Sequence, residues 1–235
     1  DESIFLDPLY YSHGSDMHFR SYGDCIYCTM HGVWVYDYID GTELYLDKAA
    51  HIMEVDLGKH GFGRLLAFGY PESYYDKPLT KTLFAQLNFD IADNGDFYVS
   101  FEADSLMYRY DHDYNQLACF GFAGRDMDLN YLRWDSYDQP WKERLAERMS
   151  RGFYNAVEYV DETGLLFRSY RKGGGSATDG LQVYRDGVLV GDVDVPLGFR
   201  MAGYVAPYYY SYVVPDEEGE RLYMFRFKWP SAPEE

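Results

Sequence analysis

Two short segments carry the side chains that metal sites use. His13, Asp16 and His18 lie within six residues, which is adequate for zinc if the loop folds back. Residues 111–115 begin like a calcium-binding loop, but the sixth position is Gln116 rather than Gly and the twelfth lacks the bidentate Glu. A polar surface loop and a hairpin turn explain these segments better, so we predict no metal ion and no other cofactor.

Two of the three cysteines, Cys25 and Cys28, have the two-residue gap of a zinc or redox pair. They lie in a strand pattern, where positions three apart point to opposite faces, and no second pair follows. We therefore predict that these two cysteines and Cys119 are buried, reduced thiols. The odd number argues against a disulfide scaffold but does not exclude an oxidising compartment.

Signatures of nucleophilic and phosphate chemistry are absent from the sequence. There is no G-x-S-x-G elbow and no G-x-x-x-x-G-K-S/T loop, and residues 173–180 are interpreted as a flexible loop between strands. Carboxylate pairs suited to glycoside hydrolysis are an open alternative, although 39 acidic residues offer many chance pairs. A lactonase-like or sugar-cleaving enzyme would use Asp24, Asp90 and His18 in a central funnel.

The dipeptide Phe-Arg recurs, and in a strand it places an apolar and a cationic side chain on opposite faces. It occurs at 19–20, 167–168, 199–200 and 225–226. Arg20 and Arg200 are expected near the innermost strands, where converging guanidinium groups would bind the carboxylate or sulfate groups of acidic sugars. The alternative is that these arginines form salt bridges with the many nearby carboxylates.

Composition restricts the class of partner. The net charge of −18 repels nucleic acids and anionic lipid surfaces, which leaves sugars, peptides, cations and proteins. No 18-residue apolar run is present, so no membrane-spanning helix is predicted. The 26 tyrosines suit strand surfaces and also stack on sugar rings or peptide side chains. The predicted ligand-binding residues are Arg20, Trp34, Arg168, Arg200, Tyr208, Tyr209 and Tyr210.

Residues 89–121 have the pattern of one complete four-stranded sheet. Apolar and polar residues alternate in four short segments, the period expected of strands. Asn94 and Gly95 suit a tight turn between the first two segments, because both tolerate positive φ. Since so small a sheet cannot bury both faces alone, it must stack against similar sheets, which predicts a β-propeller.

Weaker copies of this unit lie on both sides. Turn residues precede strand patterns at 25–30 and 33–38, at 165–171 and at 221–229, and an outer hairpin is predicted at 184–188. The spacing of the copies predicts one insertion at 58–82, whose glycines and prolines indicate a loop.

The second insertion contains one predicted helix near 138–151, which begins at Pro140 and stops before Gly152. Trp141, Leu145 and Met149 recur every four residues of it. We expect this apolar stripe to lie on the blades and the charged residues between its members to face water.

The 89–121 unit resembles the NHL-type repeat. An apolar strand at 89–92, a turn at 93–96, an aromatic-valine strand at 97–99 and a tyrosine-aspartate strand end at 108–111 follow in the order of that repeat. The wider layout is similar to the six-bladed propeller lipoproteins of Bacteroidota. This resemblance implies a periplasmic or outer-surface location in the cell envelope and a lipid anchor upstream of this chain.

Together the patterns predict an all-β fold, a β-propeller of four-stranded antiparallel blades in a single domain over residues 1–235. The length suits about four blades of a six-bladed propeller that lacks its N-terminal blades; the alternative is a closed five-bladed ring completed by residues 4–11. The predicted function is a recognition module that binds a glycan, peptide or protein at one face. An enzyme and a structural component of a surface assembly are the alternatives.

Overall fold

Antiparallel β-sheets arranged as four propeller blades dominate the computed structural model of the chain. The structure describes residues 18–33, 36–37, 43–44, 46–59, 62–134, 140–216 and 219–230. Within these ranges three blades have four strands and one has three. The predicted all-β class, the antiparallel blades and the helical insertion are confirmed.

The first blade and a short hairpin contain the first six strands. They are β1 (Phe19–Tyr22), β2 (Cys25–Val33), β3 (Tyr36–Asp37), β4 (Glu43–Leu44), β5 (Ala50–Asp56) and β6 (Phe62–Ala67). The blade sheet has the order β1-β2-β5-β6, while β3 and β4 form a separate short hairpin. The first strand pattern predicted here, at 25–30, lies in the blade sheet, and the second, at 33–38, includes β3 of the hairpin.

The second and third blades follow the chain order from one edge to the other. The second consists of β7 (Leu87–Ile91), β8 (Phe97–Phe101), β9 (Met107–Tyr110) and β10 (Gln116–Phe120). The third consists of β11 (Phe153–Val160), β12 (Leu165–Arg171), β13 (Asp179–Arg185) and β14 (Val188–Val195). The predicted blade at 89–121 and the predicted outer hairpin are thus confirmed.

The fourth blade is smaller. This part of the chain contains β15 (Met201–Val205), β16 (Tyr208–Ser211), β17 (Val214–Asp216), β18 (Arg221–Tyr223) and β19 (Arg226–Phe227). The blade sheet has the order β15-β16-β19, and β17 pairs with β18 in a separate hairpin. The strand pattern predicted at 221–229 contains β18 and β19, which pair with different partners.

Two insertions connect the blades. The first carries 3-10 helices at Glu72–Tyr74 and Thr82–Phe84 around the one-turn helix α1 (Pro78–Lys81), and the second carries α2 (Trp141–Ser150). The loop predicted at 58–82 is wrong over Phe62–Ala67, which pair with β5 as the outer strand β6. Gly63 interrupts the alternation that would have revealed this strand.

The first strand of each blade lies nearest the axis, where β11 packs against β7 and β15. Asn88 Nδ2 donates to the carbonyl of Tyr154 at 3.3 Å near the starts of β7 and β11, and the amide of Asp93 donates to Asp161 Oδ1 at 3.0 Å beyond their ends. These inner strands are therefore parallel and begin at the same face. We call it the upper face, and α2 lies there because it leads into β11.

Successive residues of the second strand of a blade enter two different hydrophobic cores. On β8, Phe97, Val99 and Phe101 pack against the first blade, whereas Tyr98 joins the core shared with the third blade. The third blade repeats this division on β12, where Phe167 enters the core with the fourth blade. Each interblade core is thus built from alternate residues of neighbouring sheets.

Arg168, the residue after Phe167, points the other way and fastens the third blade to the second. Its side chain is fully buried, and burial lowers the pKa of its guanidinium. It donates to Ser100 Oγ at 2.8 Å and to the Ser105 carbonyl at 2.7 Å. Its guanidinium carbon lies 3.2 Å from the centre of the Tyr154 ring. A buried cation is stabilised here by carbonyl dipoles and an aromatic face.

The helix α2 is oriented opposite to the prediction. Trp141, Leu145 and Met149 are exposed by 67%, 44% and 54%. The side that faces the blades carries Arg148, whose Nη2 donates to the buried Glu102 carboxylate at 2.6 Å, and Glu147, whose Oε1 accepts from the Leu132 amide at 2.6 Å. Buried charge pairing, rather than the apolar stripe, holds this helix.

The cysteines are free thiols, as predicted. Cys28 is buried and Cys25 partly so, but the predicted burial of Cys119 is wrong, since this residue is exposed. It lies on β10, the outer edge strand of its blade, where alternate positions face solvent.

We expect Arg168→Met to lower the free energy of unfolding by about 3 kcal/mol, because methionine leaves the buried carbonyls of the β8–β9 turn without donors. Urea denaturation followed by fluorescence measures this change. Arg185→Met at the end of β13 is the control and should change stability by about 0.5 kcal/mol or less. Equal losses in both variants would contradict the role of Arg168.

The orientation of α2 can be tested in the same way. Arg148→Met strands the buried Glu102 carboxylate and should cost about 3 kcal/mol. Leu145→Ser on the exposed stripe should cost about 0.5 kcal/mol or less. A larger loss for Leu145→Ser than for Arg148→Met would show that the stripe packs on the blades after all.

Candidate functional site

Charged side chains from three blades meet at the axis. Arg20 on β1 donates through Nη2 to Glu158 Oε2 of β11 at 2.6 Å, and through Nε to Asp90 Oδ1 of β7. The predicted position of Arg20 on an innermost strand is therefore correct. Its guanidinium is engaged by carboxylates of neighbouring blades, so the salt-bridge alternative describes this residue.

The two carboxylates of this axial cluster are not equivalent. Asp90 also accepts from the amides of Tyr159 at 2.6 Å and Ile91 at 2.9 Å, which favours its charged form even though burial raises the pKa of Asp90. Burial, and next the neighbouring Asp90 charge, raise the pKa of Glu158 to about 8. Because the two carboxylates interact, the pair titrates as a unit.

The other predicted ligand-binding residues lie apart from one another. Arg168 is buried between blades and has no exposed surface with which to reach a ligand. Arg200 stacks over Tyr212, with 5.4 Å between the guanidinium carbon and the ring centre. Trp34 lies outside the described residues.

The tyrosine run of β16 alternates between two environments. Tyr209 is buried in the core with the third blade, whereas Tyr208 and Tyr210 face the other side and are partly exposed. Arg226 and Lys228 lie over the Tyr208 ring at 4.7 and 5.1 Å. The binding role of these residues stays a prediction.

The three side chains predicted for an enzyme, Asp24, Asp90 and His18, also lie in different surroundings. Asp90 belongs to the axial cluster, Asp24 is exposed in the β1–β2 turn, and the His18 ring lies edge-on to Phe89 with 5.7 Å between ring centres. His13 and Asp16 of the zinc-like segment lie outside the described residues. Residues 111–115 form the predicted hairpin turn, in which Asp111 Oδ1 accepts from the Asn115 amide at 2.8 Å.

A cleft of about 370 Å³ lies at the upper face of the third blade. Its walls are formed by Phe153, Asn155, Arg171, Gly173, Gly175, Ser176, Asp179, Leu197 and Gly198. Its volume lies in the range of small-molecule sites, and its wall mixes apolar with polar side chains. None of the residues predicted from the sequence to bind a ligand lines this cleft.

Asn155 reaches the cleft from a β-bulge. The register between β11 and β12 shifts between Tyr154 and Ala156, which leaves Asn155 as the extra residue. Bulges re-aim side chains and are frequent beside functional sites. The Oδ1 atom of Asn155 is buried without a hydrogen-bond partner within the described part of the chain. A buried acceptor of this kind calls for a donor from a bound molecule or water.

Asp179 provides a second acceptor. Its carboxylate is 4% exposed, accepts from the Gly198 amide at 2.7 Å, and has its pKa raised by burial. Arg171 lies at the end of β12, next to the start of β13, and its guanidinium can donate hydrogen bonds in the same cleft. The wall can therefore accept hydrogen bonds from a ligand and also donate to it.

The glycine run after β12 shapes the rim. Gly173 and Gly175 have φ of +73° and +75°. A Cβ on Gly173 would lie 2.4 Å from the backbone of Arg151, so only glycine fits there. In the sequence, the run Gly173-Gly174-Gly175-Ser176 indicates only a flexible loop. The contact of this loop with the end of α2 depends on tertiary structure.

No group of three or more His, Cys, Asp and Glu side chains among the described residues is arranged to hold a metal ion. None of the described helices has the length and apolar character needed to cross a membrane.

No protein-family model matches the chain, and the search of curated proteins returns no significant match. Among solved structures, the chain is similar to a member of the DUF4221 family from Bacteroides vulgatus, with 10% sequence identity and a TM-score of 0.49. The similarity covers 77% of this chain and 52% of the other, so the chain spans about half that protein's length. Similarity at this level assigns no function.

The axial cluster predicts a pH dependence of stability. Because the folded-state pKa of Glu158, about 8, lies above its unfolded value, the folded state binds more protons between about pH 4.5 and pH 8. The contribution of Glu158 is therefore complete at low pH and is lost as the pH rises through 8.

Relative to Glu158→Gln, the free energy of unfolding of the wild-type protein should fall by on the order of 2 kcal/mol as the pH rises from about 4.5 to about 8. Urea denaturation across this pH range measures the difference. Glu162→Gln, in the exposed turn after β11, should follow the wild-type profile. Parallel profiles for wild type and Glu158→Gln would refute the assignment.

Proposed function

We propose that this chain is a binding module that takes a sugar residue of a neutral glycan in the upper-face cleft. The observation that carries the proposal is that Asn155 lines the cleft and has a buried Oδ1 atom without a hydrogen-bond partner in the described structure. A sugar hydroxyl would donate to this atom and accept from a neighbouring donor at the same time.

The rest of the wall suits such a ligand. Asp179 offers a second buried acceptor, Arg171 a donor, and Phe153 an apolar surface. Asp179 and Arg171 bring opposite charges to one cleft, which favours an uncharged ligand with many hydroxyl groups over a simple cation or anion. The net charge of −18 further disfavours acidic ligands.

A carboxylate-based sugar-cleaving enzyme is the second candidate. It is favoured by the raised pKa of Glu158, about 8, beside Asp90, since a carboxylic acid that stays protonated near neutral pH can act as a general acid. Arg20 already binds both carboxylates, however, so this arrangement also fits a structural role at the axis. We therefore rank binding above catalysis.

The wider assignment also belongs to this proposal. The resemblance of residues 89–121 to the NHL-type repeat supports a six-bladed propeller of the lipoprotein type, acting at the cell envelope. Fractionation of the source cells, with detection of the full-length protein by antibody, tests the location. Recovery in the cytoplasmic fraction would overturn that part of the proposal.

For the cleft, we expect Asn155→Ala to weaken glycan binding by about tenfold or more, because the ligand loses a buried hydrogen bond. Screening on an array of neutral oligosaccharides, followed by calorimetry with the selected sugar, measures the effect. Asn130→Ala, an exposed residue outside the cleft, is the matched control and should bind as wild type does.

Failure of every neutral sugar to bind at millimolar concentration would overturn the proposed function, as would unchanged affinity in Asn155→Ala. Chromatography of the sugar after incubation separates the two candidates. Intact sugar is expected of a binding module, whereas cleavage that is lost in Glu158→Gln would favour the enzyme.

A further inference from the structure

The apolar stripe of α2 is exposed and belongs to none of the hydrophobic cores of the described residues. Trp141, Leu145 and Met149 lie at four-residue intervals and therefore share one face of the helix. Trp141 is two-thirds exposed, although tryptophan usually buries much of its large surface. Arg148 and Glu147 anchor α2 through Glu102 and the Leu132 amide, while the three stripe residues remain exposed.

The stripe begins at the rim of the cleft. Arg171, which lines the cleft, donates through Nη2 to the Met149 carbonyl at 2.9 Å. The amide of Gly174 donates to the Ser150 carbonyl at 2.7 Å, which joins the glycine rim to the last turn of the helix. From Met149 to Trp141 the helix extends for about 12 Å from this contact with the rim.

Resting on the proposed function, we propose that the ligand is an extended neutral oligosaccharide, with one residue in the cleft and the following residues along Met149, Leu145 and Trp141. The Trp141 indole forms the outer subsite, where its flat apolar face stacks on a sugar ring. Arg144 lies over the same indole, with its guanidinium carbon 5.7 Å from the ring centre, and steadies it.

Charge distinguishes this occupant from a peptide. Lys142, Arg144 and Arg171 place positive charge beside the stripe, which opposes a basic peptide, while the net charge of −18 opposes an acidic one. A neutral oligosaccharide meets neither penalty. Its binding should consequently be insensitive to salt, whereas binding of a charged peptide would weaken as salt rises.

The experiment uses the full chain and a ladder from monosaccharide to tetrasaccharide of the neutral sugar selected on the array. In wild type, affinity should rise along the ladder. Trp141→Ala should lower tetrasaccharide affinity by about tenfold while leaving monosaccharide affinity unchanged. Asn155→Ala should weaken both ligands. Leu117→Ala, an equally exposed apolar residue on β10, is the control and should change neither.

Three results would overturn this inference. Equal affinity for mono- and tetrasaccharide in wild type, or an unchanged tetrasaccharide affinity in Trp141→Ala, removes the outer subsite and leaves the cleft in place. Salt-sensitive binding of a peptide that depends on Trp141 would assign the stripe to a peptide partner instead. Absence of any sugar binding in wild type removes the cleft function and the extended site together.

Discussion

The structure depends on the requirement that each small sheet bury both of its faces. Four strands are too few to enclose a core, so every blade must share one core with the blade before it and another with the blade after it. Phe97 and Tyr98 of β8 show the result, because adjacent residues of one strand enter cores on opposite sides. The remaining elements of the described structure are arranged around these shared cores.

Arginine links the elements where apolar packing does not. Arg168 saturates buried carbonyl groups between the second and third blades, Arg148 pairs with the buried Glu102 and fixes α2, and Arg20 joins three blades at the axis. Each guanidinium presents several donors in one plane, so it can satisfy acceptors on different strands at once. These contacts determine how the blades and the upper-face insertion sit against each other.

The upper face is the part of the described structure that we assign to ligand binding. The interblade cores use the alternate positions of the strands, and the axial carboxylates are engaged by Arg20. At the upper face, the bulge at Asn155, the glycine rim and the outward stripe of α2 surround an open cleft. A rigid scaffold with variable connections at one face is a common way to present a binding site.

The sequence by itself determined the all-β class, the blade at 89–121, the position of the helical insertion and the axial location of Arg20. These follow from local periods, turn residues and chain order, which are visible in one strand or helix at a time. The orientation of α2, the strand at Phe62–Ala67 and the cleft at Asn155 were decided only by tertiary structure. Their cause lies in partners distant along the chain: Glu102 for Arg148, β5 for β6, and the contact of Gly173 and Gly174 with the end of α2.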